Sequence, residues 1–412
     1  MFALLFRALL EASYVNIVST VFGYLGYSIN FQLSNYILSW LIFILSFVMV
    51  RGRITRVSDY FFITALLGVL APITILYGYD ANRDLLPLLT VYVALFLTYI
   101  ISHIKFFSFK GLPTIKYGMG IAVVVSLVFV VLLIVWYFVS GVKFNLDFSK
   151  VYEFRRGNAE IAARGILAYT NNWTYQIFNV TLFTFALLYK RYFIAVILFL
   201  IQVYFFAASA HKAVLFYPVL VVGIWFYFRK TNSAVVVPFI FSSVIVASLL
   251  TYYFMGDVTA SSLFSRRVFF VPARLTYDYF EFFASNPNVY WSNSILKSLV
   301  EYPYDRPVGE VIGQFLGKDD LNANNGFVSM GFAHAGYLGV IFYSILVGIL
   351  LRFIDDITFL SLPLWVSLSL TIVPLRSFLI STDLFTAMLT HGFFVAIIII
   401  YLVRSKAGYS VR

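Results

Sequence analysis

The sequence predicts an all-α polytopic membrane protein, and three observations lead there. The 412 residues are 62% hydrophobic and only 11% charged, with a mean hydropathy of +0.91. Soluble domains are roughly 25% charged. Apolar stretches long enough to cross a bilayer as helices, about 20 residues each, recur along the chain. Short basic loops fall on alternate sides of successive stretches, as the topology of a multi-pass protein requires.

The first stretch, 2–22, holds Arg7 and Glu11 and lacks a small-residue cleavage site. It reads as a retained helix rather than a signal peptide. Further stretches lie near 33–50, 60–78, 85–103, 119–140, 173–189 and 192–208, then near 213–228, 234–255, 333–351, 358–376 and 384–403. The expected number is about twelve spans, because lipid cannot satisfy exposed backbone groups and only helices solve that problem here. Residues 1–412 then form a single integral membrane domain.

Arg51, Arg53 and Arg56, Lys105 with Lys110 and Lys116, Lys190-Arg191, Arg229-Lys230 and the tail from Arg404 all fall on one side. The positive-inside rule makes that side the cytoplasm and places both termini there. The whole net charge of +11 then lies on the inner side. It is a topology signal and gives no reason to expect a nucleic-acid partner. The chain has no cysteine, which excludes disulfides and thiolate metal sites.

Two enlarged connections, about 141–172 and 256–332, fall on the outer side. Long loops in compact proteins are usually functional. The first carries Arg155, Arg156 and Arg164; the second carries Arg266, Arg267 and Arg274. Guanidinium forks grip phosphate oxygens and keep their charge near lipid, so the cluster is a candidate anion site. Arg274 and Asp278, at i and i+4, also fit a plain helical salt bridge. Pro272 suits a helix start, Asn286-Pro287 an end, and Phe269, Phe270, Phe280, Phe282 and Phe283 suit a helix dipping into the interface. Lys212, in the outer turn Ala208-Ser209-Ala210-His211-Lys212, either joins the anion site or snorkels to headgroups. His334 opens a span within Gly331-Phe332-Ala333-His334-Ala335-Gly336, where small residues permit close approach and an imidazole can move a proton near neutral pH. His103 and His391 read as structural, and His211 is left open. No P-loop, dinucleotide fingerprint, HExxH or Asp-x-Asp metal pair occurs, so no cofactor and no metal is expected.

Many spans, two arginine-rich outer loops, and Asn324-Asn325-Gly326-Phe327 leading to His334-Ala335-Gly336-Tyr337-Leu338-Gly339 resemble the bacterial oligosaccharide repeat-unit polymerases, the O-antigen polymerase (Wzy) family. The resemblance covers the whole chain as architecture and is specific around 264–340 and the Ala210-His211-Lys212 turn. It implies a fold like the C-type membrane glycosyltransferases, in the bacterial inner membrane, with an active site facing the periplasm. It implies transfer of a growing glycan from its undecaprenyl pyrophosphate to a sugar hydroxyl of the next lipid-linked unit. On that reading the arginines named above and Lys212 hold the pyrophosphate, His334 is catalytic, and Tyr290, Trp291 and Asn325 contact glycan. The partners implied are the lipid-linked oligosaccharide donor and acceptor, membrane lipid, a chain-length regulator and a flippase.

Two other readings share these features. An O-antigen ligase would carry the same outer arginines and histidine. A flippase or transporter of the lipid-linked oligosaccharide would suit twelve spans, but carriers keep charge near the midplane, which the sequence leaves almost free of it.

Overall fold

The computed structural model describes residues 1–104, 108–147, 154 and 165–404. Among them every named element is helical. In chain order the helices are α1 (Phe2–Leu25), α2 (Leu33–Met49), α3 (Val57–Tyr79), α4 (Leu85–His103), α5 (Gly118–Val139), α6 (167–188), α7 (Tyr192–Ser209) and α8 (Lys212–Phe228). There follow α9 (Val236–Met255), α10 (261–285), α11 (Val308–Phe315), α12 (Phe327–Thr358), α13 (Leu364–Ile380), α14 (Leu384–Leu389) and α15 (Phe393–Val403). Seven of these, α1, α3, α4, α5, α7, α9 and α12, are long and apolar enough to cross a membrane. This is the architecture of a polytopic membrane protein. The apolar helices α2, α8, α13 and α15 are shorter. The stretch expected to run unbroken over 384–403 is interrupted: α14 stops at Leu389, and Gly392, at φ +72°, starts α15. His391, expected inside that span, lies in the interruption.

The chain folds into two compact units. One comprises Met1–Phe107, Ser233–Arg352 and Ser377–Leu384; the other comprises Ser108–Asn232, Phe353–Arg376 and Phe385–Arg412.

In the first unit, charge lies inside the helix bundle. Arg7 and Glu11, one turn apart on α1, form an ion pair at 3.4 Å with both side chains buried. Arg7 Nη2 donates to Ser39 Oγ at 2.8 Å, and its guanidinium lies 3.7 Å over the Trp40 ring. Tyr79 donates its hydroxyl to Glu11 at 2.6 Å. Breaking such a pair costs about 3–5 kcal/mol, because the abandoned charge has no water to turn to. The two charges noted in the first expected span, 2–22, are thus a buried ion pair.

α10 is one continuous helix whose first ten residues, Ser261–Phe270, are π-helical and whose remainder, Val271–Ser285, is α-helical. It ends before Asn286-Pro287, as expected. Phe269, Phe270, Phe280 and Phe283 are buried in the protein, so they pack its core instead of dipping into lipid. His103 Nδ1 donates locally to Tyr99 O at 2.9 Å, in keeping with a structural role.

α12 is two helices joined at a break. Ala335 (φ −154°, ψ 35°) and Gly336 (φ 58°, ψ −142°) leave the helical region, and the second of these conformations suits only glycine. Gly331 and Gly339 meet across the break, where a Cβ on Gly339 would fall 2.0 Å from Gly331 O. The small residues do permit a close approach. His334, expected to open a span, instead closes the short limb 327–334.

In the second unit, Gln202 on α7 is fully buried. It accepts from Asn179 at 2.5 Å and donates to Tyr175 O and Val214 O, both at 2.9 Å. One side chain thus ties α6, α7 and α8 together. Satisfying every polar atom this way is what apolar surroundings demand.

Candidate functional site

The first unit contains a cavity of about 680 Å³ lined by four carboxylates, two guanidiniums and an aromatic wall. The segment after α1 supplies Gly26 and Ser28, the α3–α4 turn supplies Asp80, Arg83 and Asp84, and α10 supplies Arg274, Tyr277, Asp278 and Glu281. Phe280, Phe332 and Tyr337 form the wall: Phe280 stacks on Phe332 at 3.9 Å between centroids, and Phe332 meets Tyr337 edge-on at 5.3 Å. Tyr337 is 48% exposed. The break in α12 makes this possible, since it turns the chain between Phe332 and Tyr337.

Each guanidinium is fixed by its neighbours. Arg83 Nη2 donates to Gly26 O at 2.7 Å, its Nε lies 3.4 Å from Asp80 Oδ2, and its plane is 4.8 Å over Tyr277. Arg274 Nε lies 3.6 Å from Asp278 Oδ2, a charge contact beyond hydrogen-bond length. The i, i+4 salt bridge expected from sequence is therefore present. Gly26, at φ +84°, lets the Arg274 guanidinium lie against the backbone, where a Cβ would meet its Nε at 3.1 Å.

Three buried polar atoms of this lining make no hydrogen bond: Arg83 Nε, Tyr277 Oη and Asp278 Oδ2. Two of the three still meet an opposite charge, Arg83 Nε that of Asp80 and Asp278 Oδ2 that of Arg274. Burial pushes the Asp278 carboxyl up to about 6, against the downward pull of Arg274 and then Arg83. A carboxylate that titrates there can take a proton near neutral pH. Replacing Arg274 with Ala removes the stronger of the two cations, so Asp278 should titrate above 6. An upward move of the acid limb in a pH profile of ligand binding or activity would show this, and an unmoved limb would contradict it.

A second constellation sits beside the wall. His334 is fully buried. Its Nδ1 accepts from the main-chain N–H of Trp291 at 3.2 Å, because a backbone N–H can only donate. The ring proton is therefore on Nε2, which lies 3.2 Å from Asp383 Oδ1. The same oxygen accepts from Tyr343 Oη at 2.6 Å, and Tyr343 accepts from the Trp291 indole at 2.8 Å. Trp291 also stacks on the imidazole at 5.1 Å. Both ring nitrogens of His334 are thus engaged within the protein.

The other expected residues are dispersed. Arg274 lines the cavity. Arg266 lies nearby: both guanidiniums lower the Tyr27 hydroxyl, which burial pushes up to about 12. Arg266 sits 4.6 Å over Phe22 and donates to Ser262 at 3.0 Å. Arg267, on the same π-helical turn, is exposed. Lys212 starts α8 in the second unit. Arg155, Arg156 and Arg164 lie outside the described residues. Asn325 is buried, and its amide faces Pro272 O, Thr276 Oγ1 and Ser329 Oγ at 2.9, 3.2 and 2.9 Å. Tyr290 is half exposed, with a main-chain N–H that donates to His334 O at 2.9 Å. Arg83, Asp80, Tyr343 and Asp383 were not singled out from sequence. Asp383, an acid immediately before an apolar run, carried the one readable signal, since acids in such places are costly and functional by default. No group of three or more metal-ligating side chains occurs among the described residues. No family model, curated protein or solved structure matches the chain.

Proposed function

We propose that the chain is a membrane glycosyltransferase that polymerises undecaprenyl-pyrophosphate-linked oligosaccharide units into O-antigen or a related surface glycan. In this reading its twelve apolar segments span the bacterial inner membrane with both termini cytoplasmic, the fold is of the C type, and the cavity opens toward the periplasm. The observation that carries it is the cavity itself. Carboxylates that accept hydroxyl protons, guanidiniums that meet phosphate oxygens, and an aromatic wall are the groups a lipid-linked sugar needs.

The chemistry is assigned to Asp278, Arg274 and Arg83. Asp278 takes the proton of the acceptor hydroxyl as its oxygen bonds the anomeric carbon of the donor. The bond from that carbon to the pyrophosphate oxygen breaks, and lipid pyrophosphate leaves with both electrons. Arg274 and Arg83 stabilise the charge that develops on it. His334 holds the wall in place through Trp291 and the α12 break. Four carboxylates against two guanidiniums favour the glycan as the main occupant, with the pyrophosphate at the arginine edge.

A glycan ladder from cells lacking this gene tests the reading. Collapse to core plus a single repeat, restored by the wild-type gene, is expected. Polymer accumulating on the lipid carrier would indicate a ligase instead.

A transporter reading has two observations in its favour, the buried Arg7–Glu11 pair and the broken α12, since carriers use both devices. A leaflet-specific glycan label separates it: substrate trapped on the inner leaflet would replace the single-repeat product.

A further inference from the structure

Of the carboxylates in the polar cleft, two are left without a cation. Arg83 holds Asp80, which also accepts from Ser28 Oγ and the Asn82 N–H, both at 3.2 Å, and Arg274 holds Asp278. Asp84 caps the start of α4, accepting the Leu86 N–H at 3.1 Å. Glu281 lies on α10 one turn after Tyr277. Both are exposed, and neither forms an ion pair among the described residues. Arg266 is engaged with Phe22 and Ser262 and is not part of the lining. The lining therefore carries an excess of two negative charges, and of one when Asp278 holds a proton.

A second feature of the lining points to what the excess receives. Tyr277 is 8% exposed, and its hydroxyl oxygen has no hydrogen-bond partner. Unlike Arg83 Nε and Asp278 Oδ2, it meets no opposite charge. Burial holds this hydroxyl above its usual range; Arg83 opposes that, and Asp84 and Asp80 add to it. The group is therefore neutral, lies in the field of Asp84, and has lone pairs to offer. The wall of Phe280, Phe332 and Tyr337 gives a sugar ring an apolar surface and favours a cation beside it. Two carboxylates and a phenol oxygen accept hydrogen bonds, and an ammonium brings three donors and no acceptor.

We propose that the cleft selects a glycan bearing a free amine, whose ammonium is received by Asp84, Glu281 and the Tyr277 hydroxyl, and rejects a glycan bearing a carboxylate. The proposal rests on the glycosyltransferase reading and adds the charge class of its sugar. A hydroxyl or an N-acetyl group in the amine's place can hydrogen-bond but leaves both carboxylate charges uncompensated. A uronate would add a like charge to the excess, and such juxtapositions are how a site refuses the wrong partner. The pyrophosphate escapes that repulsion because Arg83 and Arg274 receive it. A bare divalent cation would match the carboxylates but makes no use of the aromatic wall or of a 680 Å³ cleft.

The test measures binding to the full-length protein in nanodiscs of zwitterionic lipid, at low salt. Three water-soluble probes of equal length are compared: a glucosamine trimer, an N-acetylglucosamine trimer and a galacturonic acid trimer. The glucosamine trimer should bind about tenfold more tightly than the N-acetylated one, and the uronate more weakly than either. Raising the pH until the amine loses its proton should cancel the preference, and added salt should weaken it. Asp84→Asn combined with Glu281→Gln should level the three affinities. Asparagine still caps α4, so the melting temperature should hold. Tyr277→Phe should weaken the glucosamine trimer alone. Equal affinities in the wild type, or a preference that survives in the double variant, overturn the proposal. So does equally tight binding of spermidine, which has the charge without the sugar. Calcium that binds more tightly than the trimer and is lost in the double variant would make the pair a metal site and also overturn it. None of these readouts needs turnover, so the glycan ladder stays a separate test. An amine preference alongside an unchanged ladder in the deletion would sink the glycosyltransferase reading and leave the charge selectivity standing. A collapsed ladder with equal affinities would do the reverse.

Discussion

Asp278→Asn should abolish polymer formation while the protein remains folded in the membrane. Asparagine keeps the size of the side chain but cannot accept a proton, and loss of a positioned base costs about 10²–10⁴-fold. The burial that raises this carboxyl to about 6 also sets the pH dependence. Activity should fall below pH 6 in the wild type as Asp278 protonates. The sign for stability is opposite. A carboxyl whose folded pKa exceeds its unfolded value holds its proton more tightly in the native state, so stability declines as pH rises from about 4 to 6 and is then flat. The rise from 3.8 to about 6 corresponds to about 3 kcal/mol held against the ionised form. Asp278→Asn removes that penalty, offset in part by the partner Arg274 loses. At pH 7 its melting temperature should therefore match or exceed that of the wild type, while its glycan ladder collapses to one repeat. A ladder of normal length from Asp278→Asn would remove Asp278 from the chemistry.

Helical architecture was legible because hydropathy reports directly on what a bilayer tolerates. Apolar runs of the right length appear as α1, α3, α4, α5, α7, α9 and α12, and the end of α10 was marked by Asn286-Pro287. The site was less legible, for a physical reason. Arg274 was singled out because arginines in a long polar stretch between apolar runs are conspicuous, but its neighbours in the cavity arrive from far along the chain: Gly26 from the end of α1 and Arg83 from a short turn. Neither carries a local signal. The phenylalanines of α10 misled because an amphipathic helix against lipid and one against a protein core have the same sequence pattern. The break at Ala335-Gly336 was also hidden. Glycine permits a positive φ without announcing it, and only the fold shows that Phe332 and Tyr337 are turned to one wall.

Asp383→Ala should destabilise the first unit by about 2–5 kcal/mol, since it leaves two buried donors, Tyr343 Oη and His334 Nε2, without their acceptor. Asp383→Asn retains an oxygen for both and should lose much less. His334→Ala should behave like Asp383→Ala, because it removes the acceptor for the Trp291 N–H and hollows the core beside the wall. The contrast with a catalytic His334 is measurable. Trp291 packs against the imidazole at 5.1 Å, so indole fluorescence in detergent reports the melting of this cluster. A positioning role predicts that His334→Ala and Asp383→Ala melt early together, and that polymer falls in proportion to folded protein. A catalytic role predicts wild-type melting with no polymer. Tyr343→Phe combined with Asp383→Asn then separates the shared hydrogen bond from the two single losses: residues in one network should couple by about 0.5–3 kcal/mol. Strict additivity would show that Tyr343 and Asp383 act independently, and the wall would need another support.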